Sequence, residues 1–456
     1  MSAFTKFGRV KRFHIMSQRG NSFLQAPWAG GIVLVVCVMI AMLLANLPAT
    51  SHWYHQFLHM ELGLSIGGEL FPQSMSLEKF VNDALMVIFF FTVGLEIRRE
   101  MSHGELSTPK KAILPVIAAL GGMLAPAFIY TCFNFGTEAI NGWGIPTATD
   151  IAFAIGIMSL LGNRVPLSLK VFLTALAVAD DLGAIVVIAL FYGETPNMLL
   201  LGIALLIMVG IYFMRRMGEY RVIAYLIPAF VVWTLFYYSG VHATISGVAM
   251  AMLIPTTPRY NRSYYLHKAD IIEKSIRDAD LIEDRNKAEE ERLYHIHRMK
   301  QISNGAESMS HRVEHFLMPY VNFLIMPIFA LVNAGVHIES VEYFNIFEHS
   351  AAAGSIGMGI FFGLVVGKPL GISLFSYLAI KLGLADKPAG ASWKMLVAVA
   401  CLGGIGFTMS IFVDNLAFDA ATHLDYINKG KISIIMASTA AAVLGSVLIV
   451  LNAKKK

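Results

Sequence analysis

The chain is 456 residues long, 56% hydrophobic and only 14% charged, with a net charge of +4. Soluble domains carry about 25% charged residues, so this composition excludes an ordinary water-soluble globule and points to a chain solvated mostly by lipid. The positive excess is spread over many short connections rather than gathered in a stripe, so nucleic acid is not an expected partner.

Apolar runs close to the ~20 residues that cross a bilayer recur along nearly the whole length. The first, 28–47, follows a basic stretch. It is too long for a signal-peptide core and lacks a small-residue cleavage site, so it reads as the first span, preceded by a tail over 1–26. After it, around 59–75, apolar and small or polar residues partly alternate about Gly67-Gly68. That pattern predicts a short external β-hairpin or a plain loop. A lone hairpin is marginal in water, so pairing with a second copy would implicate this segment in a dimer.

Further runs occupy 84–97, 113–133, 167–192, 198–214, 222–238 and 241–255. A shorter one, 151–161, follows Gly-Trp-Gly-Ile-Pro. A charged, glycine-poor segment over 256–312 then interrupts the series. Beyond it come 317–334, 354–380, 395–413 and 432–451. The length rule therefore predicts an all-α polytopic membrane protein of about twelve spans. Its membrane domain covers 27–255 and 313–453, and three residues, 454–456, follow as a tail. Within the insertion, Ile272, Ile276 and Ala279, and then Leu293, Ile296 and Lys300, recur at helical spacing, which predicts one or two amphipathic helices. They would rest on the membrane surface, pack on the cytoplasmic mouth, or stand as a solvated appendage.

Basic residues concentrate in alternate connections. They fill the N-terminal tail, 98–111, 164–170, 215–221, 381–394 and the C-terminal tail, whereas the intervening loops carry only Lys79, Lys429 and Lys431. By the positive-inside rule both termini and the 256–312 insertion are cytoplasmic, and the number of spans is even. Lys368 is left over as the basic residue inside a span. Cys37, Cys132 and Cys401 are isolated in apolar runs, with neither metal spacing nor a disulfide framework, and read as core residues.

An ionisable group at mid-span costs about 2.5–3.5 kcal/mol on insertion scales, which makes each one a functional candidate. Asp180 and Asp181 lie mid-run in 167–192. Neighbouring carboxyls in a low dielectric cannot readily both ionise and titrate as a coupled unit. The ionised form suits a small hard cation. One site thus accepts either a cation or protons, which is a direct basis for exchange. Lys368 needs a counter-charge, from Asp180, Asp181 or the carbonyls of a broken helix. Asp150, after Thr149, opens the short run, and Gly403-Gly404-Ile405-Gly406 interrupts another. Two interrupted segments in corresponding halves mark a transporter site. Asp150 would offset the positive helix ends there and Lys368 the negative ones. Asp83 sits at the outer end of the second span. Glu96, Arg98 and Glu100 at its inner end, with Arg312, Glu314 and His315 opening a later span, would form a charged cytoplasmic mouth or ordinary interfacial anchors. His242 titrates in the physiological range or serves as a packing residue. No His-Glu-x-x-His or Gly-x-Ser-x-Gly motif marks an enzyme, and no cofactor motif is present.

Several stretches together resemble the NhaA-type bacterial sodium/proton antiporters. They are Asn-Asp-Ala-Leu-Met from Asn82, Phe-Thr-Val-Gly-Leu-Glu-Ile-Arg-Arg-Glu from Phe91, Thr-Asp-Ile-Ala-Phe-Ala from Thr149 and Ala-Asp-Asp-Leu-Gly-Ala-Ile from Ala179. Ser-Gly-Val-His-Ala-Thr from Ser239, Gly-Lys-Pro-Leu-Gly-Ile from Gly367 and Gly-Ile-Gly-Phe-Thr-Met-Ser from Gly404 follow in family order. The resemblance implies twelve spans with inverted repeats, the fourth and eleventh broken and crossing. It assigns cation and proton exchange to Asp180 and Asp181, and the crossing to Thr149 and Asp150, with Lys368 opposite the aspartates. It gives Glu96, Arg98, Glu100, Arg312, Glu314 and His315 to pH control, and implies a homodimer through the hairpin. The expected activity is electrogenic, pH-regulated export of Na+ or Li+ against H+ in a bacterial inner membrane. An organic-anion carrier on the same architecture is the alternative; a passive channel and an intramembrane enzyme are remoter. The 256–312 insertion departs from the short connection the resemblance implies.

Overall fold

The computed structural model describes residues 28–66, 69–193, 195–279, 281–282, 284–338, 341–348, 354–419 and 422–453. The predicted tails over 1–26 and 454–456, and the Gly67-Gly68 turn, lie outside the described residues.

In chain order, helix α1 (Ala29–Asn46) and α2 (Ser51–Leu58) precede strands β1 (Glu61–Ile66) and β2 (Glu69–Ser76). These pair antiparallel, with Glu61 opposite Ser76 and Ile66 opposite Glu69. The predicted hairpin therefore forms. There follow α3 (Leu77–His103), α4 (Pro109–Asn134), a 3-10 segment Glu138–Thr147, α5 (Ile151–Leu160), α6 (Leu167–Phe191), α7 (Met198–Arg216), α8 (Val222–Ser239) and α9 (Ala243–Leu253). The insertion forms α10 (Arg262–Ala279) and α11 (Arg285–Ala306). The chain then continues through α12 (Met309–Asn333), α13 (Ile356–Lys381), α14 (Trp393–Gly403), α15 (Phe407–Ala417) and α16 (Leu424–Asn452).

Among the described residues, nine helices are long and apolar enough to cross a membrane. The segment Glu138–Thr147 with α5, and α14 with α15, are bent pairs, by 41° and 46°, that bring the number to eleven. The predicted span over 241–255 is realised as the 11-residue α9. At 1.5 Å per residue it is about 16 Å long, against a hydrocarbon core of about 30 Å. The chain is a multi-pass membrane protein.

It divides into two units. The first comprises Met1–Phe89, His103–Glu194 and Pro319–Lys456. Lipid tails are as apolar as leucine, so helix pairing inside a membrane depends on close backbone approach and polar contacts. Between α4 and α13 this is literal: a Cβ on Gly371 would strike the Gly121 backbone, and one on Gly121 the Gly371 carbonyl. That contact seats the middle of α13, where a π turn, Gly363–Gly367, immediately precedes Lys368. Comparable π turns interrupt α3 at Val81–Leu85 and α12 at Val321–Ile325. Such turns widen the backbone at polar sites. Here Asn82 Nδ2 donates to Asn333 Oδ1 (3.1 Å), Asn333 Nδ2 to Asn82 Oδ1 (2.8 Å) and Asn415 Nδ2 to Asn333 Oδ1 (2.6 Å). This amide chain ties α3, α12 and α15 together.

The second unit comprises Phe90–Ser102 and Thr195–Met318. Its core joins Leu95, Ile211, Tyr225, Phe236, Met250 and Met309. Helix α7 buries only Ala204 and Ile211, leaving Leu199, Leu206 and Phe213 60% or more exposed, as suits a lipid-facing helix. Helices α10 and α11 form a hairpin. Its base closes where the Tyr260 N–H donates to the Gly305 carbonyl at 2.9 Å. Ile272 and Ala279 are buried as their spacing predicts, but Leu293 and Ile296 are 47% and 46% exposed, and α11 buries only Ile302. The spacing of α11 is helical, yet nothing among the described residues covers that side.

Two further sequence expectations need correction. Lys429 and Lys431 are not in a loop: α16 begins at Leu424 and contains both, with Lys431 buried. Two residues earlier, the partly exposed Lys429 makes an ion pair with Glu348 at 3.0 Å. Of the three cysteines only Cys401 is buried, and Cys132 is exposed on α4. An apolar run marks a span, but half of a span's surface faces lipid rather than protein.

Candidate functional site

The site grows from two interruptions in the first unit. Pro146 and the extended residues after it end the 3-10 segment before α5, and Gly404 to Gly406 separate α14 from α15. A broken helix exposes unpaired N–H and C=O groups, which must find partners at that depth. They find them in each other. The Asp150 N–H donates to the Ile405 carbonyl at 2.7 Å, and Ser410 Oγ donates to the Ile145 carbonyl at 2.8 Å. The Phe407 N–H donates to Ser438 Oγ on α16 at 3.2 Å.

Asp150 faces two helix N-termini at once. Its Oδ1 accepts from the Phe153 N–H of α5 at 3.1 Å. Its Oδ2 accepts from the N–H and the hydroxyl of Thr408, at the start of α15, at 3.2 and 2.5 Å. Both termini carry partial positive charge, so one carboxylate compensates two dipoles.

Beside it, Thr149 Oγ1 accepts from Lys368 Nζ at 2.5 Å. It lies 2.6 Å from Asp180 Oδ2 and 2.9 Å from the Gly403 carbonyl at the end of α14, and its single proton serves one of these two. Lys368 Nζ makes an ion pair with Asp180 Oδ2 at 2.7 Å. Lys368 is 0%, Asp180 1% and Asp181 2% exposed. Asp180 Oδ1 has no hydrogen-bond partner among the described residues. Successive residues on a helix point about 100° apart, so Asp181 aims away from Asp180 although the two are adjacent in sequence. The ammonium still feels the charge of both.

The structure thus gathers Thr149, Asp150, Asp180, Asp181 and Lys368 in one unit. The residues expected at the cytoplasmic mouth belong to the other. There, Arg99 is the hub, its Nη2 standing 3.5 Å from Glu96 Oε1 and 3.4 Å from Glu100 Oε1, and its Nη1 bonded to Glu314 Oε1. Arg98, the residue expected there, makes no ion pair among the described residues, and Arg99 takes that place. The i,i+3 spacing from Glu96 to Arg99 was the available signal. Arg312 is not in that cluster; its Nη1 donates to the Asn304 carbonyl at 3.0 Å. The His315 ring meets that of His311 edge-on, with centroids 6.2 Å apart. His242 stands at the N-terminal boundary of α9 without a side-chain cap bond, and Asp83 occupies the π turn of α3. Thr408 and the carbonyl of Gly403 were visible in sequence only as part of a glycine-rich run. Ser438 carried no signal, since only the fold brings α16 to the break.

The chain also matches known proteins along most of its length. The family model described as Na+/H+ antiporter 1 matches residues 21–449. The chain is 41% identical over 439 residues to the Na(+)/H(+) antiporter NhaA of Wolinella succinogenes, covering 95% of this chain and 93% of that protein. It is 41% identical over 447 residues to the Na(+)/H(+) antiporter NhaA 2 of Helicobacter hepaticus, covering 96% of each. To the Na(+)/H(+) antiporter NhaA of Escherichia coli O139:H28 it is 40% identical over 426 residues, covering 93% of this chain and 96% of that protein. These matches run over nearly the whole chain, and the chain belongs to the Na+/H+ antiporter 1 family.

Proposed function

We propose that this chain exchanges internal Na+ for external H+ by secondary active transport, with Asp180 and Asp181 as the exchanging groups. The observation that carries the reading is the ion pair of Asp180 with Lys368, beside Thr149, at the crossing of the two broken spans. The family match supports Na+ and H+ as the ions. Cation and protons compete for the same carboxyls, and that competition couples their movements. Lys368 compensates Asp180 while no cation is bound, and a hard cation must displace the ammonium to reach that oxygen. Alternating access presents the carboxyls to one side at a time.

Finer features rest on the same reading. Li+ substitutes for Na+ as a small hard cation. More protons than cations move per cycle, so transport is electrogenic. The cluster of Glu96, Arg99, Glu100 and Glu314, with Arg98, Arg312 and His315, sets the pH of activation, and Asp83 and His242 modulate it. Both termini and the 256–312 insertion are cytoplasmic in a bacterial inner membrane, and the β1–β2 hairpin pairs two copies. The organic-anion alternative finds no support, since two buried carboxylates repel an anion and the relatives are sodium/proton antiporters.

Inside-out vesicles from a host lacking its own antiporters test this. The lumen is acidified, Na+, Li+ or K+ is added, and the proton gradient is followed by fluorescence quenching. Na+ or Li+ collapses the gradient in wild type and not in Asp181→Asn. If neither does so at any pH from about 6 to 9, a range that brackets a buried carboxyl pair, the exchange reading is wrong.

A further inference from the structure

One buried ionisable group in the first unit has no place in the exchange just described. Asp414 lies on α15, six residues beyond Thr408 and therefore about 9 Å further along the helix from the Asp150 contact. It is 0% exposed, and neither carboxyl oxygen has a hydrogen-bond partner among the described residues. Buried carboxyls are ordinarily satisfied, because an ionised one in a low dielectric without donors is far too costly to persist.

The neighbours explain why no donor reaches it. The titratable groups that feel its charge are Tyr130 on α4, Tyr192 just after α6 and Lys431 on α16. The Tyr130 hydroxyl donates to the Ala139 carbonyl at 2.8 Å, and the Tyr192 hydroxyl donates to the Asn141 carbonyl at 2.9 Å. Both protons are therefore committed elsewhere. Gly430 supplies the space: any side chain there would collide with the carboxyl oxygens. The next residue, Lys431, is 7% exposed and forms no ion pair within 4.0 Å among the described residues, although it feels Glu78 and Asp414. A carboxyl and an ammonium are thus buried close together without being joined. This is the arrangement of a group that holds its own proton and has a counter-charge in reserve.

We infer that Asp414 is a second proton-binding site of the exchanger, on the outer half of the broken span, with Lys431 as the counter-charge that takes over when the proton leaves. The bond broken on release is the carboxyl O–H, and the proton passes to water on the external side. "Outer" here rests on the orientation given under Proposed function.

Inside-out vesicles expose the cytoplasmic face to the bath and the external face to the lumen, so the two pH values are varied separately. In wild type the exchange rate responds to lumenal pH through the exchanging aspartates and Asp414 together, Asp414 adding up to about tenfold per unit, as a single titrating group gives. Asp414→Asn, which mimics the protonated acid, keeps Na+-driven exchange and its response to bath pH, but its response to lumenal pH becomes shallower, retaining only what Asp180 and Asp181 contribute as they take up external protons. Infrared spectra of the purified full-length protein at neutral pH show a protonated-carboxyl band that Asp414→Asn removes and Asp181→Asn retains. Lys431→Gln withholds the counter-charge and moves the lumenal midpoint to higher pH, which keeps a test in hand if Asp414→Asn does not fold. An unchanged lumenal profile in Asp414→Asn or Lys431→Gln, or an unchanged infrared band in Asp414→Asn, overturns the inference. Failure of Asp181→Asn to abolish exchange would instead defeat the main reading and leave the infrared result for Asp414 standing.

Discussion

Lys368 and Asp180 show how a single charge is made tolerable inside a membrane. Removing one partner of a buried pair typically costs about 3–5 kcal/mol, because the other is stranded. Under the proposed exchange, a cation at Asp180 would relieve that penalty by replacing one positive charge with another. Charge number at the centre would then stay nearly constant while its carrier changes, as the proposed exchange requires. A different residue governs a pH response outside the spans. His55, on α2, has its pKa lowered by partial burial and by His337 and His59, and only Glu78 opposes this. Its folded state therefore binds fewer protons than the unfolded chain near the ordinary value of 6.5. The resulting stability is fully present above that value and is lost as pH falls through the lower folded value. His55→Gln should flatten the acid side of the melting-temperature profile between about pH 5 and 8, the range in which histidines titrate. An acid limb as steep as in wild type would show that other groups govern it.

At the scale of the element, helix interruptions and helix contacts carry the design. Two bent pairs satisfy each other's exposed backbone, while Asp150 answers both positive ends. Neither break would be tolerable alone at that depth. The seat of Lys368 depends equally on α4 and α13 meeting backbone to backbone at Gly121 and Gly371. Gly371→Val should force these helices apart. Overpacking costs about 1–3 kcal/mol, so we expect a lower melting temperature together with loss of Na+-driven exchange. Normal exchange at an unchanged melting temperature would mean that the contact does not position the lysine. The π turn before Lys368 belongs to the same device: the extra residue redirects the side chain toward Thr149 and Asp180 without ending the helix.

Across the whole molecule, the insertion is the feature that stands apart. Helices α10 and α11 leave and return at nearly the same point, since Tyr260 and Gly305 are hydrogen-bonded and a side chain at 305 would meet the Tyr260 ring. A segment whose ends already touch can be excised without a loop-closure cost of any size. Replacing residues 262–303 by a short Gly-Ser linker should therefore give a folded protein that still exchanges Na+ for H+ at about the wild-type maximal rate. Size-exclusion behaviour and the vesicle assay check this; aggregation or loss of exchange would make the hairpin integral to the transport machinery.

Much of this was legible in the chain itself, because membrane insertion leaves coarse marks. A span must be long and apolar, so its existence can be read from length and hydropathy alone. An ionisable residue within one is expensive, so Asp150, Asp180, Asp181 and Lys368 announced themselves without neighbours. The helical spacing in 256–312 foretold helices, though neither their pairing as a hairpin nor which face of α11 would stay exposed. The partners are what only the tertiary structure decided. That Lys368 meets Asp180, that Arg99 rather than Arg98 gathers the glutamates, and that Lys431 is buried within α16 beside Asp414 all depend on contacts between distant segments. Hydropathy is a property of one segment averaged over its turns, whereas an ion pair is settled by distances of a few ångströms between two of them. The sequence therefore announces where charge enters the membrane, and packing alone determines what that charge touches.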